Sequence, residues 1–187
     1  EGKPLPEIIR EIRKCIGNKK MLHVQTLSET AEEIVKEALT LRDLVEGNFY
    51  AKIPVTPQGV KAMKLLKEQG LNITATAIFT QQQALIAAKV GADFVAPYVN
   101  RLDNISSHGI SVVADLMQLI KLYDLKTQVL AASFKNVDQI HRVSLTGAHA
   151  ATISPELFDF MMYHPLTESS VKEFIEDGKP YYTFQNE

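Results

Sequence analysis

The 187-residue chain alternates between two hydrophobic periods along almost all of its length, and this alternation constrains its fold most. Six apolar, β-branched runs read as strands: MLHVQTL, FYAKIPVT, LNITATAIF, ADFVAPYV, TQVLAASF and HAATIS. Longer segments with helical spacing separate them. PQGVKAMKLLKEQG puts Val60, Met63 and Leu66 on one face, with Pro57 in its first turn and Gly70 as its stop. TQQQALIAAKVG carries Gln83 three residues after Thr80, the spacing of a capping box, and ends at Gly91. NVDQIHRVSLTG runs similarly from Asn136 to Gly147. A helix, LPEIIREIRKCIG, precedes the first strand. Strands and helices alternating at this spacing imply parallel strands joined by crossover helices.

Two α/β architectures satisfy that pattern. An open doubly wound sheet is the default for six strands, but its glycine-rich first strand-to-helix turn is absent. A closed (β/α)8 TIM barrel needs eight strands and usually about 200 residues or more. The chain falls short by about two such units and opens on a helix. A single barrel domain over residues 1–187, without its first two strands, fits that opening.

One strand raises a chemical question. FYAKIPVT places Lys52 at its centre. Side chains alternate between the two faces of a strand. Phe49, Ala51, Ile53 and Val55 make one apolar side, and Tyr50, Lys52 and Pro54 the other. The same reading opposes Leu22 and Val24 to His23 and Gln25, and Ile73, Ala75, Ala77 and Phe79 to Asn72, Thr74 and Thr76. It opposes Leu130, Ala132 and Phe134 to Ala131 and Ser133. Turning each apolar side toward the helices sends Gln25, Lys52, Thr76, Tyr98 and Ser133 into one lumen, near the C-terminal strand ends where barrel enzymes place their sites. Burial there disfavours an ammonium, and a neutral amine is a nucleophile toward carbonyls.

Composition narrows the classes of function. A formal net charge of −2 argues against a nucleic-acid binder. No apolar run reaches the roughly 18 residues of a membrane span. The single cysteine, Cys15, suits a reducing cytoplasm. The five histidines show neither HxH nor HExxH spacing, so neither a metal nor another cofactor is expected. His23 faces the lumen on this reading and is taken as structural.

The motifs around Lys52 resemble a known family. AKIPVTPQG is similar to the Schiff-base lysine strand of the small transaldolase family, and APYVNRLD, Ala96 to Asp103, to its next diagnostic strand and loop. ITATAIFT, VLAASFKN and the later HGI also match, so the resemblance spans nearly the whole chain. It implies a (β/α)8 barrel whose first two strands, carrying LDT-like and TTNPS-like motifs, are missing from this chain. Tyr98, Asn100 and Gln25 resemble the fructose-6-phosphate aldolase branch, where transaldolases typically carry Phe, Gly and Glu. On this resemblance Lys52 forms an imine with the ketose. Tyr98, with Gln25 and Thr76, positions a water that serves as acid and base. Arg101 and Ser133 bind the phosphate of the aldehyde. Sugar phosphates are then the partners, in a homo-oligomer, pentamer or decamer. The alternatives are a transaldolase of the pentose phosphate pathway, and a noncatalytic barrel or inactive fragment.

The C-terminal stretch 166–187 is expected to pack on a neighbouring subunit. SPELFDFMMYHP reads as a helix stopped at Pro165, and a second helix runs from about Thr167 to Asp177 before a stop at Gly178. Val171, Phe174 and Ile175 give it an apolar stripe, and Tyr181, Tyr182 and Phe184 follow.

Overall fold

Every strand of the sheet is hydrogen-bonded to the one that follows it in the chain. In the computed structural model, which describes residues 2–182, β1 (Leu22–Gln25), β2 (Phe49–Pro54), β3 (Asn72–Ile78), β4 (Phe94–Pro97), β5 (Gln128–Ala131) and β6 (Ala150–Ala151) lie in the order β1-β2-β3-β4-β5-β6, all parallel. A doubly wound sheet reverses its strand order at a switch point. No reversal occurs among the described strands, so the open alternative is excluded. The sheet is singly wound, as in part of a (β/α) barrel, with one face under the helices and the other free to line a lumen.

The helices are α1 (Leu5–Ile16), α2 (Ala31–Val45), α3 (Pro57–Glu68), α4 (Gln81–Lys89), α5 (Val99–Asp103), α6 (Gly109–Leu122), α7 (Val137–Leu145), α8 (Pro155–Met162) and α9 (Pro165–Gly178). Their ends follow local chemistry. Thr80 and Gln83 form both bonds of the expected capping box on α4. Thr56 caps α3 ahead of Pro57, and Gly70 takes the left-handed backbone just past its end (φ 76°). Gly59, in the first turn of α3, has no room for a Cβ against the Pro54 carbonyl, so α3 starts pressed onto the end of β2.

The core lies between the outer sheet face and the helices. Val24, Phe49, Ala51, Ile53, Ile73, Ala75, Val95, Val129 and Ala131 are buried there, with Ile34, Ala38, Met63, Leu66, Ala84 and Leu116 from the helices. At the N-terminal end of the strands, Arg13 is buried and donates to five carbonyls: Val45, Gly17, Lys20, Glu46 and Asn48, at 2.8–3.2 Å. This one guanidinium ties the segments entering β1 and β2 together.

The structure corrects three details of strand and helix reading. In β3 the backbone turns left-handed at Ala77 (φ 55°) and the register with β4 shifts between Ala75 and Ile78. Ile78, rather than Ala77 and Phe79, therefore occupies the buried outer position. In β5 the pairing of Phe94 with Gln128 and Val95 with Val129 puts Leu130 on the inner face and Ala131 under the helices, the reverse of the expected alternation. The run is apolar on both faces, so its sequence carries no phase. The stretch after β4, read as a loop, is the short helix α5, with Tyr98 at its N-cap.

Two compact units divide at Thr152/Ile153. In the second, α8 ends at Met162, and Pro165 opens α9 instead of closing α8, with the His164 ring accepting from the Leu166 amide at 3.2 Å. Gly178 is the last helical residue and not a left-handed stop. Val171, Phe174 and Ile175 form the expected stripe and are exposed. Phe184 lies outside the described residues.

Candidate active site

Strand pairing alone sets the inner layers. Parallel partners share a face, so His23 lies beside Tyr50, and Gln25 beside Lys52, which lies beside Thr74; Pro54 lies beside Thr76. Three rings fill the lower layer. His23 stacks on Tyr50 at 4.6 Å, and Phe94 meets both edge-on at 5.4 Å. Offset and edge-to-face contacts of this kind hold rings rigidly. Lys52 stands one inward step above Tyr50, half-buried. Among the described residues no carboxylate forms an ion pair with it. Its charge is felt by His23, whose imidazole is held below its ordinary pKa by burial first and by the Lys52 ammonium second.

Above Lys52, at the C-terminal strand ends, opens a cleft of about 750 Å³. Gln25, Thr76, Tyr98 and Arg101 all line it. The Tyr98 hydroxyl lies 3.0 Å from the Thr76 Oγ1. Thr76 is buried and fixed; the β3 bulge puts both Thr76 and Ala77 on the cleft wall. Phe79 packs edge-on against the Tyr98 ring at 5.7 Å, and the Arg101 guanidinium covers it at 4.8 Å. Gln25 donates its amide N–H to the Thr26 carbonyl at 2.9 Å and does not bond Tyr98 or Thr76.

Ser133 and Lys52 are not on the cleft wall. Ser133 follows β5 in a left-handed conformation (φ 64°), a backbone state uncommon outside glycine. Its carbonyl accepts from the Asn100 amide at 2.8 Å, so the turn after β5 is tied to α5, the helix that carries Arg101. Alternation along β5 would have turned Ser133 outward; the left-handed turn is what sets its position.

The sequence reading missed one wall. Thr26, Ser28 and Glu29 of the β1–α2 loop, with Gln58 of α3, also line the cleft. Glu37 fixes that loop, accepting from the Leu27 and Ser28 amides at 2.9–3.0 Å. Position after the C-terminal end of β1 was the available signal, since such loops build barrel sites.

The fold and the cleft together define a polar pocket at the C-terminal strand ends of a singly wound β/α sheet, with Lys52 on the inner face below it. Residues 5–186 match the family described as transaldolase/fructose-6-phosphate aldolase. A probable fructose-6-phosphate aldolase of Streptococcus pneumoniae is 38% identical over 180 residues, covering 96% of this chain and 80% of that protein. Probable transaldolases of Leptospira biflexa and Symbiobacterium thermophilum are each 36% identical, covering 95% of this chain and 82% and 81% of theirs. The chain belongs to this family of aldolases and transaldolases. In fold alone it is also similar to inosine 5′-monophosphate dehydrogenase of Legionella pneumophila, with a TM-score of 0.60 at 19% identity over 84% of this chain and 49% of that one.

Proposed function

We propose that the protein is a class I aldolase that cleaves fructose 6-phosphate to dihydroxyacetone and glyceraldehyde 3-phosphate, and forms it in reverse, in a (β/α)8 barrel. The observation that carries this reading is the Tyr98 hydroxyl, 3.0 Å from Thr76 Oγ1 in the cleft above a lysine without a carboxylate partner among the described residues.

The Lys52 amine adds to the C2 carbonyl of the ketose, and loss of water leaves an iminium. A base takes the C4 hydroxyl proton, the C3–C4 bond breaks, and its electron pair moves into the iminium to give an enamine. Glyceraldehyde 3-phosphate departs. The enamine is protonated at C3, and water adds to the iminium to release dihydroxyacetone and restore the amine. Tyr98 is suited to holding the water that moves these protons, because a phenol can both donate and accept. Thr76 orients the phenol, and Gln25, its amide N–H held by the Thr26 carbonyl, lines the same cleft.

The Arg101 guanidinium is a cation on the cleft wall and fits a phosphate, with Ser133 on the turn tied to its helix. Arg101→Ala is then expected to raise KM for glyceraldehyde 3-phosphate about tenfold or more, and KM for unphosphorylated glyceraldehyde little. Equal effects on both substrates would remove the phosphate role.

A transaldolase reading, in which dihydroxyacetone passes from the enamine to an aldose phosphate, is favoured by the names of the Leptospira and Symbiobacterium relatives. Product analysis separates the two. Fructose 6-phosphate alone should yield free dihydroxyacetone; turnover that requires erythrose 4-phosphate would establish transfer instead.

A further inference from the structure

One titratable group of the inner face has no part in the chemistry above. His23 stands on β1, and its Nδ1 lies 2.7 Å from Thr74 Oγ1 on β3. Two strand spacings, about 9.6 Å, separate β1 from β3. The imidazole therefore crosses the inner face of β2, between the layer of Tyr50, on which it stacks, and the layer of Lys52, whose register partner is Thr74. Phe94 of β4 closes the cluster edge-on. Stack, hydrogen bond and edge contact fix this ring from three sides.

Resting on the reading of Lys52 as the imine-forming residue, we propose that His23 is a positioning residue for Lys52. It braces the foot of the lysine while neutral, and once protonated it opposes the positive charge of the imine, so that His23 sets the acid limit of imine formation.

The groups facing His23 support this assignment. From β2 come Lys52 and Tyr50. Burial, and then the Asp93 carboxylate, raise the Tyr50 phenol above its ordinary pKa, so it stays neutral. Asp93 is itself bonded to Lys67 at 2.8 Å and to the Ile73 amide at 2.7 Å. β3 presents the Thr74 hydroxyl, and β4 presents the uncharged Phe94. The charge that His23 meets is thus that of Lys52. Its depressed pKa agrees: the ring is neutral near pH 7 and charges only below its ordinary range. The sign for stability follows. Unfolded chains take up this proton near pH 6.5 and the folded protein only at lower pH, so stability is lost as pH falls through that interval.

The test uses the protein as its gene encodes it. Dihydroxyacetone and borohydride are added between about pH 5 and pH 8, and the reduced adduct on Lys52 is counted by peptide mass spectrometry. His23→Gln can keep the bond to Thr74 without the charge, and His23→Phe keeps the ring without the charge. In the unmodified protein the trapped fraction should fall as the pH drops below the ordinary imidazole range. Relative to its own value near pH 7.5, each variant should retain about threefold more adduct at pH 5.5. Superimposable normalised profiles would overturn the role of His23 while leaving Lys52 intact. No adduct on Lys52 at any pH would instead overturn the imine reading. A companion measurement needs no His23 variant: the imidazole titration followed by NMR should move to higher pH in Lys52→Met, and an unmoved titration would overturn the coupling.

Discussion

Replacing Lys52 with methionine is expected to lower kcat/KM for fructose 6-phosphate cleavage by about 10³-fold or more, a loss of roughly 4 kcal/mol of transition-state stabilisation. The loss is large because the imine is the route itself. Methionine has a similar length and no amine, so the apolar stem can keep its place over the His23–Tyr50 layer. The half-buried ammonium has no ion-pair partner among the described residues, so its removal strands no buried carboxylate. The variant should keep a melting temperature close to that of the parent. Steady-state kinetics and a thermal melt on one preparation check both halves. Retention of more than a few per cent of the activity in a folded variant would end the assignment.

Tyr98→Phe carries the second large effect. It deletes one oxygen, leaves the Thr76 hydroxyl facing an empty position, and keeps the ring between Phe79 and Arg101. Proton transfer by a placed side chain is worth about 10²–10⁴-fold, so cleavage should fall by about 10²-fold. Carbon–carbon bond breaking builds the enamine without this phenol delivering the final proton. Transfer to erythrose 4-phosphate should therefore decline less than cleavage, and the ratio of transfer to cleavage should rise. Parallel product assays measure that ratio. A fall of both activities by the same factor would show that Tyr98 does not choose between the two outcomes.

The two substitutions also mark how far the sequence could be read. Lys52 was legible because a strand of strict alternation, apolar at Phe49, Ala51 and Ile53, leaves no doubt about which side its lysine takes. Gln25 and Thr76 follow from the same rule on neighbouring strands. Where the rule fails, a backbone event intervenes. At Ala77 a left-handed residue resets the phase of β3, and alanine gives no sign of it. In β5, Leu130 and Ala131 are both apolar, so hydrophobicity could not say which faced the helices. Ser133 then depends on a left-handed turn and its tie to Asn100. The β1–α2 wall was hidden for another reason. Glu37 holds the Leu27 and Ser28 amides from ten and nine residues away, a contact that folding creates and no local pattern announces. Arg13 is similar: five carbonyls converge on it from two segments, and in the sequence it is one more charge on an amphipathic helix.

The strand order excludes the doubly wound sheet for a similar reason. Six strands alternating with helices fit both the doubly wound sheet and the barrel, and only the pairing of each strand with its successor separates them. With that order, the inner face of β1, β2 and β3 becomes one continuous surface, and a lysine on the middle strand sits under the cleft that Thr76, Tyr98 and Arg101 line.

The most direct measurement is covalent. Incubation with dihydroxyacetone and borohydride near neutral pH reduces any imine to a stable secondary amine. Digestion and mass spectrometry then locate the added dihydroxyisopropyl group. A single modified peptide is expected, with the adduct on Lys52 and none on Lys126 or Lys135. An adduct on another lysine, or none in a protein that cleaves fructose 6-phosphate, would contradict the assignment of Lys52 as the imine-forming residue.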